Sequence, residues 1–211
     1  RYLRELDAVC LCANIGGIAG VRRIAVVTLQ NGLRVGLTGV TTHFVSQWEQ
    51  SANLEGITVT DAFTAAAEAY AELRQQQVDL TVCIYHGGFE NDLRTGAPLY
   101  ATDENQGCRI CNELGFDILL AGHQHMPVEN LCLNGTYTCQ PPDKAAFFAR
   151  VDARKTPNGV QAAFGGAWVG ERDNGDGTRT LTMQLSGARE ISFALRTKGA
   201  MRQTTVDGVL V

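Results

Sequence analysis

Four histidines occur in 211 residues, and three of them occupy one kind of position. His86 directly follows the apolar run Leu80–Tyr85, and His123 and His125 follow Asp117–Ala121. If both runs are strands of an α/β sheet, all three imidazoles stand at carboxyl ends, where such sheets bind ligands. His123 and His125 are two apart. In an extended segment such residues point the same way, with Cα atoms roughly 6.5–7 Å apart. Two imidazoles at that separation can reach one metal ion, or one each of two ions about 3.5–4 Å apart. Gly87, Gly88 and Gly122 flank the histidines, so the backbone can turn tightly and leave room for an ion and an anionic substrate. His43, in Thr41-Thr42-His43-Phe44, also follows a strand-like run but lacks that glycine context.

A hydrolytic dimetal centre also needs carboxylates, to bridge the ions and offset their charge. The acids near these runs are Glu90, Asp92, Asp103, Glu104 and Asp117, and none stands at a strand's carboxyl end beside Gly or Asn. Asp117 opens its strand, at the edge of the sheet away from the histidines. Glu104 reads as part of the first turn of a helix, where an acid suits the dipole. The residues alone leave three readings open. One is a dimetal hydrolase whose carboxylates lie elsewhere. The second is a mononuclear zinc hydrolase on His86, His123 and His125, which would need a base within reach of a zinc-bound water. The third is a non-catalytic module whose histidines bind one ion weakly or none.

The elements that must position these residues follow from hydrophobic periodicity. Residues 8–13 suit a short buried strand, and 23–30 and 33–40 are β-rich runs joined by Asn31-Gly32, a strong hairpin signal. From Asp61 to Gln77 the apolar positions Phe63, Ala66, Ala67, Tyr70, Ala71 and Leu73 follow helical spacing, with Thr60 or Asp61 able to cap. Glu104–Leu114 predicts a second helix. Strand, helix, strand, helix, strand is the grammar of an α/β domain with helices covering a sheet. After His125 the helical period is lost. Asn134-Gly135 and Asn158-Gly159 mark hairpins, Asn174-Gly175-Asp176-Gly177 a longer turn, and β-like runs lie near 147–153, 160–169, 179–185 and 190–196. The chain thus divides into an α/β part, 1–130, holding the histidines, and an antiparallel β part, 131–211.

Composition narrows the class. With 45% apolar residues the chain can bury a core, which excludes a disordered tail, and the 23 glycines lack the triplet period of collagen. A net charge of −4, without long runs, offers no footprint for a nucleic-acid polymer. No apolar run approaches the ~18 residues of a membrane span. Seven cysteines are too few for a disulfide scaffold. Cys108 and Cys111 form a CxxC, but Cys132 and Cys139 do not complete a zinc ribbon, so buried helix-face thiols are expected. Free thiols point to a reducing, cytoplasmic compartment, with export as the alternative. Asn134-Gly135-Thr136 matches a glycosylation sequon but reads better as a turn. Trp48 is expected to pack locally, with stacking on a nucleobase as the alternative.

Three stretches, Tyr85-His86-Gly87-Gly88-Phe89-Glu90, Glu104-Asn105-Gln106-Gly107 and Ala121-Gly122-His123-Gln124-His125, resemble the calcineurin-like metallophosphoesterases in residue type and order. Within that family the likeness is to the 5′-nucleotidase / 2′,3′-cyclic-nucleotide 2′-phosphodiesterase branch. Ala13-Asn14-Ile15, Val35–Thr42, Trp48-Glu49 and Ala52–Ile57 support it, so that it covers roughly residues 3–150. The resemblance implies a four-layer α/β/β/α sandwich, two divalent metals (zinc, manganese, iron or cobalt), and hydrolysis of a nucleotide or cyclic-nucleotide phosphate ester by a metal-activated water. It implies that His86 and His123 bind one metal and His125 the other. The family's DxH, GDxxD and GNHE motifs would precede Arg1, and its base-stacking C-terminal domain would follow Val211. The expectation is therefore a portion of such a domain, inactive by itself, with no catalytic residue beyond the metal ligands.

Overall fold

The computed structural model describes residues 2–5, 8–143, 149–156, 159–165, 167–173, 179–184, 205–206 and 209–210. Its centre is a six-stranded mixed sheet. In chain order the strands are β1 (Ile24–Thr28), β2 (Arg34–Thr41), β3 (Leu80–His86), β4 (Ile118–Ala121), β5 (Val128–Leu133) and β6 (Thr136–Gln140). They lie side by side as β1-β2-β3-β4-β6-β5. β2, β3, β4 and β6 run parallel, from Val35 opposite Leu80 through Val82 opposite Ile118 to Ile118 opposite Tyr137. β1 and β5 close the two edges antiparallel, each through a hairpin.

Both hairpins turn where the Asn-Gly pairs stand. Gly32 has φ +84°, and Asn134 and Gly135 have φ +48° and +88°, the left-handed pair that a tight hairpin turn requires. Asn31 Oδ1 accepts from the Leu33 amide at 3.1 Å. Beyond the sheet, Arg150–Thr156 pairs antiparallel with Gly159–Gly165, and Ala167–Asp173 with Arg179–Gln184. The β6 strand differs from the antiparallel reading of 131–211. It pairs antiparallel with β5 but parallel with β4, so it carries its own carboxyl end to the edge where the histidines stand. Its parallel pairing with β4, invisible to local periodicity, decides that. The run near 190–196 lies outside the described residues.

Two helices cover one face. In α1 (Ala62–Gln75) the buried side is Ala62, Ala65, Ala66, Ala69 and Leu73, and those small residues bring the helix close to the sheet. A Cβ on Gly36 would stand 2.9 Å from Leu73 Cδ2 and 3.1 Å from the Val78 methyls, so glycine lets the helix approach without pushing those side chains aside. Asp61 caps the helix, its Oδ1 accepting from the Thr64 amide at 2.7 Å. The second helix, α2, runs Gly107–Glu113, three residues shorter at its start than the predicted helix. Its first amides are satisfied from outside, because Glu90 Oε2 accepts from the Cys108 amide and Oε1 from the Arg109 amide, at 2.9 and 2.7 Å. Glu104 is therefore released from helix duty.

Strand alternation divides the core. Cys83, Tyr85, Leu119 and Ala121 pack with Phe89, Ile110 and Phe116 beneath the helices. Val82, Ile118 and Leu120 face the other way, with Val35, Leu80, Cys139 and Ala149. His86 shares the parity of Val82 and Ile84, so it belongs to this second face. Cys108 and Cys111 are buried in the first cluster, and burial pushes the Cys108 thiol up to about 11. They act as small apolar residues. At the sheet's other end Asp117 Oδ2 accepts from both the amide and the hydroxyl of Thr81, a clamp far from the histidines.

Candidate metal centre

Because β2, β3, β4 and β6 are parallel, their carboxyl ends form one edge. Thr42 and His43 leave β2, Gly87 and Gly88 leave β3, Gly122 to His125 leave β4, and Pro141 to Asp143 leave β6. A cleft of about 310 Å³ opens there, lined among others by His86, His123, His125, Pro141, Pro142 and Asp143. All three predicted histidines line it.

Their environments differ. The rings of His86 and His123 lie 5.2 Å apart, centroid to centroid, at 59°. His123 Nε2 is 2.7 Å from Glu104 Oε1, a short hydrogen bond in which the imidazole donates and the carboxylate accepts. Trp48 stacks on the same ring, 5.1 Å away and within 19° of parallel. His125 is open to solvent, its side chain 66% exposed, with Nδ1 4.0 Å from Asp143 Oδ2. The segment is not extended as assumed from the spacing. His123 has φ +77° and His125 φ +58°, both left-handed. A non-glycine residue held there costs on the order of 1–3 kcal/mol and persists only when its surroundings enforce it. His86 is shifted toward the neutral form, by burial first and then by the neighbouring His123 and His125.

A belt of long-range hydrogen bonds enforces the loops. Between the two histidines, Gln124 Oε1 accepts from the Phe89 amide at 2.7 Å and Nε2 donates to the Phe89 carbonyl at 2.8 Å. Asn105 Oδ1 accepts from the Gly88 amide at 2.8 Å. Gln106 receives the Phe63 amide and donates to Asp61, tying the belt to the start of α1. The Glu104 carbonyl accepts from Thr42 Oγ1 at 2.8 Å and from the Tyr85 hydroxyl at 3.3 Å. Asn14 serves the same purpose at the end of β2, bonded to both the amide and the carbonyl of Thr41.

Two expectations are corrected. Gly87 and Gly88 are required by protein packing rather than by room for a ligand. A Cβ on Gly87 would strike the Tyr85 ring, and one on Gly88 the Gln124 side chain. Only at Gly122 is there ordinary space, the nearest atom to a Cβ being the Tyr85 carbonyl oxygen at 3.9 Å. And a carboxylate does stand among the histidines. Glu104 reaches His123 from a loop 19 residues earlier, and Asp143 follows β6. No local pattern could have shown either, since both depend on which strands are neighbours. His43 lies apart, its Nε2 3.5 Å from Asp103 and its Nδ1 3.9 Å from Asp61.

The donors fit a divalent ion in part. Two imidazoles around one tetrahedral ion, at the usual ~2.0–2.1 Å, place their ring centres about 5 Å apart. The His86–His123 spacing matches. Among the described residues, however, no group of three or more His, Cys, Asp or Glu side chains is arranged to hold an ion. The pair has the spacing of two ligands, with no third assembled beside it among the described residues.

No family model matches the chain, and no curated protein sequence matches it. Solved structures do. The fold is that of the calcineurin-like phosphoesterases. The chain superposes on such a phosphoesterase from Bacillus subtilis with a TM-score of 0.56 at 21% identity, covering 77% of this chain and 55% of that one. A protein from Staphylococcus aureus assigned as a 5′-nucleotidase is more similar, at 28% identity and a TM-score of 0.66 over 77% of this chain and 33% of that one. The resemblance to the calcineurin-like metallophosphoesterases, and within them to the 5′-nucleotidases, therefore holds in structure as well as in motif. The chain spans a third of the Staphylococcus aureus protein and about half of the Bacillus subtilis one. A sulfate thiohydrolase from Thermus thermophilus shares the fold, with a TM-score of 0.60 at 16% identity over 77% of this chain and 29% of that one. Among the described residues no helix is long and apolar enough to cross a membrane.

Proposed function

We propose that the chain supplies His86, His123 and His125 to a two-metal site that hydrolyses the phosphate ester of a nucleotide or cyclic nucleotide. The observation that carries this reading is the convergence of the three histidines on one cleft at the carboxyl ends of parallel strands, two of them at the ring spacing a shared ion needs. The 28% identity to a 5′-nucleotidase supports the phosphoester over the sulfate chemistry of the more distant neighbour. Bound divalent ions would lower the pKa of a water and neutralise charge on the phosphoryl oxygens. Imidazoles suit zinc, manganese, iron or cobalt. The chain's own part is to hold neutral His86 and Glu104-bound His123 side by side and to keep His125 within reach at the open edge. The remaining ligands, a bridging carboxylate among them, are not assembled among the described residues.

A second reading has one observation in its favour. Because no group of three donors is assembled among the described residues, the chain also reads as a non-catalytic module whose histidines bind one ion weakly or none. Titration with manganese or zinc, counting bound ions, separates the cases when hydrolysis of a chromogenic bis-phosphodiester and of 5′-AMP is followed in parallel. Ion binding lost in His123→Ala supports the site. Metal-dependent turnover lost in the same variant supports the hydrolase, two bound ions without turnover support a two-metal site short of its remaining ligands, and a single weakly bound ion supports the module. Full ion binding by His123→Ala would sink both.

A further inference from the structure

Glu104 is in hydrogen-bond contact with a cleft histidine, and its own placement is unusually determined. Its carbonyl is held by the side chains of Thr42 and Tyr85, at the ends of β2 and β3, while its carboxylate meets His123 just past the end of β4. One residue thus spans three consecutive strand ends. The next residue, Asn105, fixes the Gly88 amide, and Gln106 is anchored by the Tyr85 hydroxyl and by Asp61. The belt fixes the Glu104 main chain at the strand ends, so its carboxylate is held within reach of the imidazole. Trp48 lies flat against the ring and limits its rotation.

An ionised carboxylate only accepts hydrogen bonds, so the ring nitrogen facing it must carry the proton. In a neutral imidazole the lone pair is then on the other nitrogen. Metal-ligating histidines are commonly oriented in this way, by a carboxylate on the nitrogen that does not face the ion, and loss of that partner weakens metal binding by about 10–100-fold.

We propose that Glu104 is a positioning residue for this site. It locks His123 as the Nε2–H tautomer and presents Nδ1 as the lone-pair donor to a divalent cation. The ion rests on the metal-site reading given above. The tautomer does not, and the two can therefore fail separately.

The test uses the 211-residue chain and two variants, Glu104→Ala and Glu104→Gln, each checked for a native backbone amide spectrum. Proton–nitrogen correlation spectra of the histidine rings are recorded without metal, at a pH where the ring is neutral, and zinc or manganese affinity is measured by calorimetry. The wild-type His123 should be predominantly Nε2–H. Glu104→Ala should turn it into a tautomer mixture and lower metal affinity about 10–100-fold. Glu104→Gln, which keeps an oxygen acceptor in place, should fall between the two. A wild-type His123 protonated on Nδ1, or a Glu104→Ala spectrum identical to wild type, overturns the proposal whatever the metal does. If the tautomer shifts as expected but the wild type binds no ion, the positioning role stands and the metal-site reading falls.

Discussion

His123 and His125 are separated by one residue and share a left-handed backbone, yet one is built in and the other is not. His123 has a carboxylate 2.7 Å away, an indole on its face and a second imidazole beside it, and its side chain is 20% exposed. His125 has 66% of its side chain in solvent, with Asp143 Oδ2 4.0 Å from its Nδ1. The difference comes from what lies across the strand ends. On the β3 side the belt of residues 104–107 closes over the loops. On the β6 side the chain leaves through Pro141-Pro142, whose rings donate no backbone hydrogen bond. Rigidity at this edge is therefore asymmetric: the half facing β3 is preorganised, and the half facing β6 is open.

The largest expected effect that would break this contrast is on the residue between the two histidines. Gln124→Ala removes both hydrogen bonds to the backbone of buried Phe89 and leaves a donor and an acceptor unmatched. At roughly 1–3 kcal/mol per buried unsatisfied group, thermal or urea unfolding should show a loss of about 3 kcal/mol. Gly107→Ala should follow closely, because its Cβ would meet the Gly88 carbonyl oxygen at 2.6 Å and the Phe89 ring at 2.9 Å. Overpacking of this kind costs about 1–3 kcal/mol, readable in the same experiment. Trp48→Ala should cost about 0.5–1.5 kcal/mol, the worth of a stacked aromatic pair, since half of the indole is already in solvent. His125→Ala should change stability by less than about 0.5 kcal/mol while still altering the number or affinity of bound ions. If His125→Ala destabilises as much as His123→Ala, the asymmetry is not real.

A pH dependence sharpens the same comparison. Burial lowers the His86 pKa in the folded chain, so the unfolded chain takes up its proton at higher pH than the folded one. Stability is then unaffected by this group above its unfolded pKa of about 6.5, and falls as the pH is lowered through that value toward the folded pKa. In the metal-free chain, denaturation midpoints measured from pH 8 to pH 5 should decline. The part of the decline owed to His86 should disappear in His86→Gln.

Local chemistry carried much of this molecule. The hairpins at Asn31-Gly32 and Asn134-Gly135, the helix capped by Asp61, and the placement of His86, His123 and His125 after apolar strands all follow from residue type and spacing, because turns, caps and strand periodicity are settled within a few residues. The order of motifs also reached the fold family. What spacing could not reach is every relation that crosses the sheet: β6 parallel to β4, Glu104 on His123, Gln124 on Phe89, and glycines demanded by Tyr85 and Gln124 rather than by a ligand. These join residues 19 or 35 apart in sequence, or strands whose neighbours no local pattern names. The sequence by itself placed the histidines at one edge; the tertiary structure decided which of them is held, because only packing across neighbouring strand ends brings a carboxylate to one imidazole and leaves the next in water.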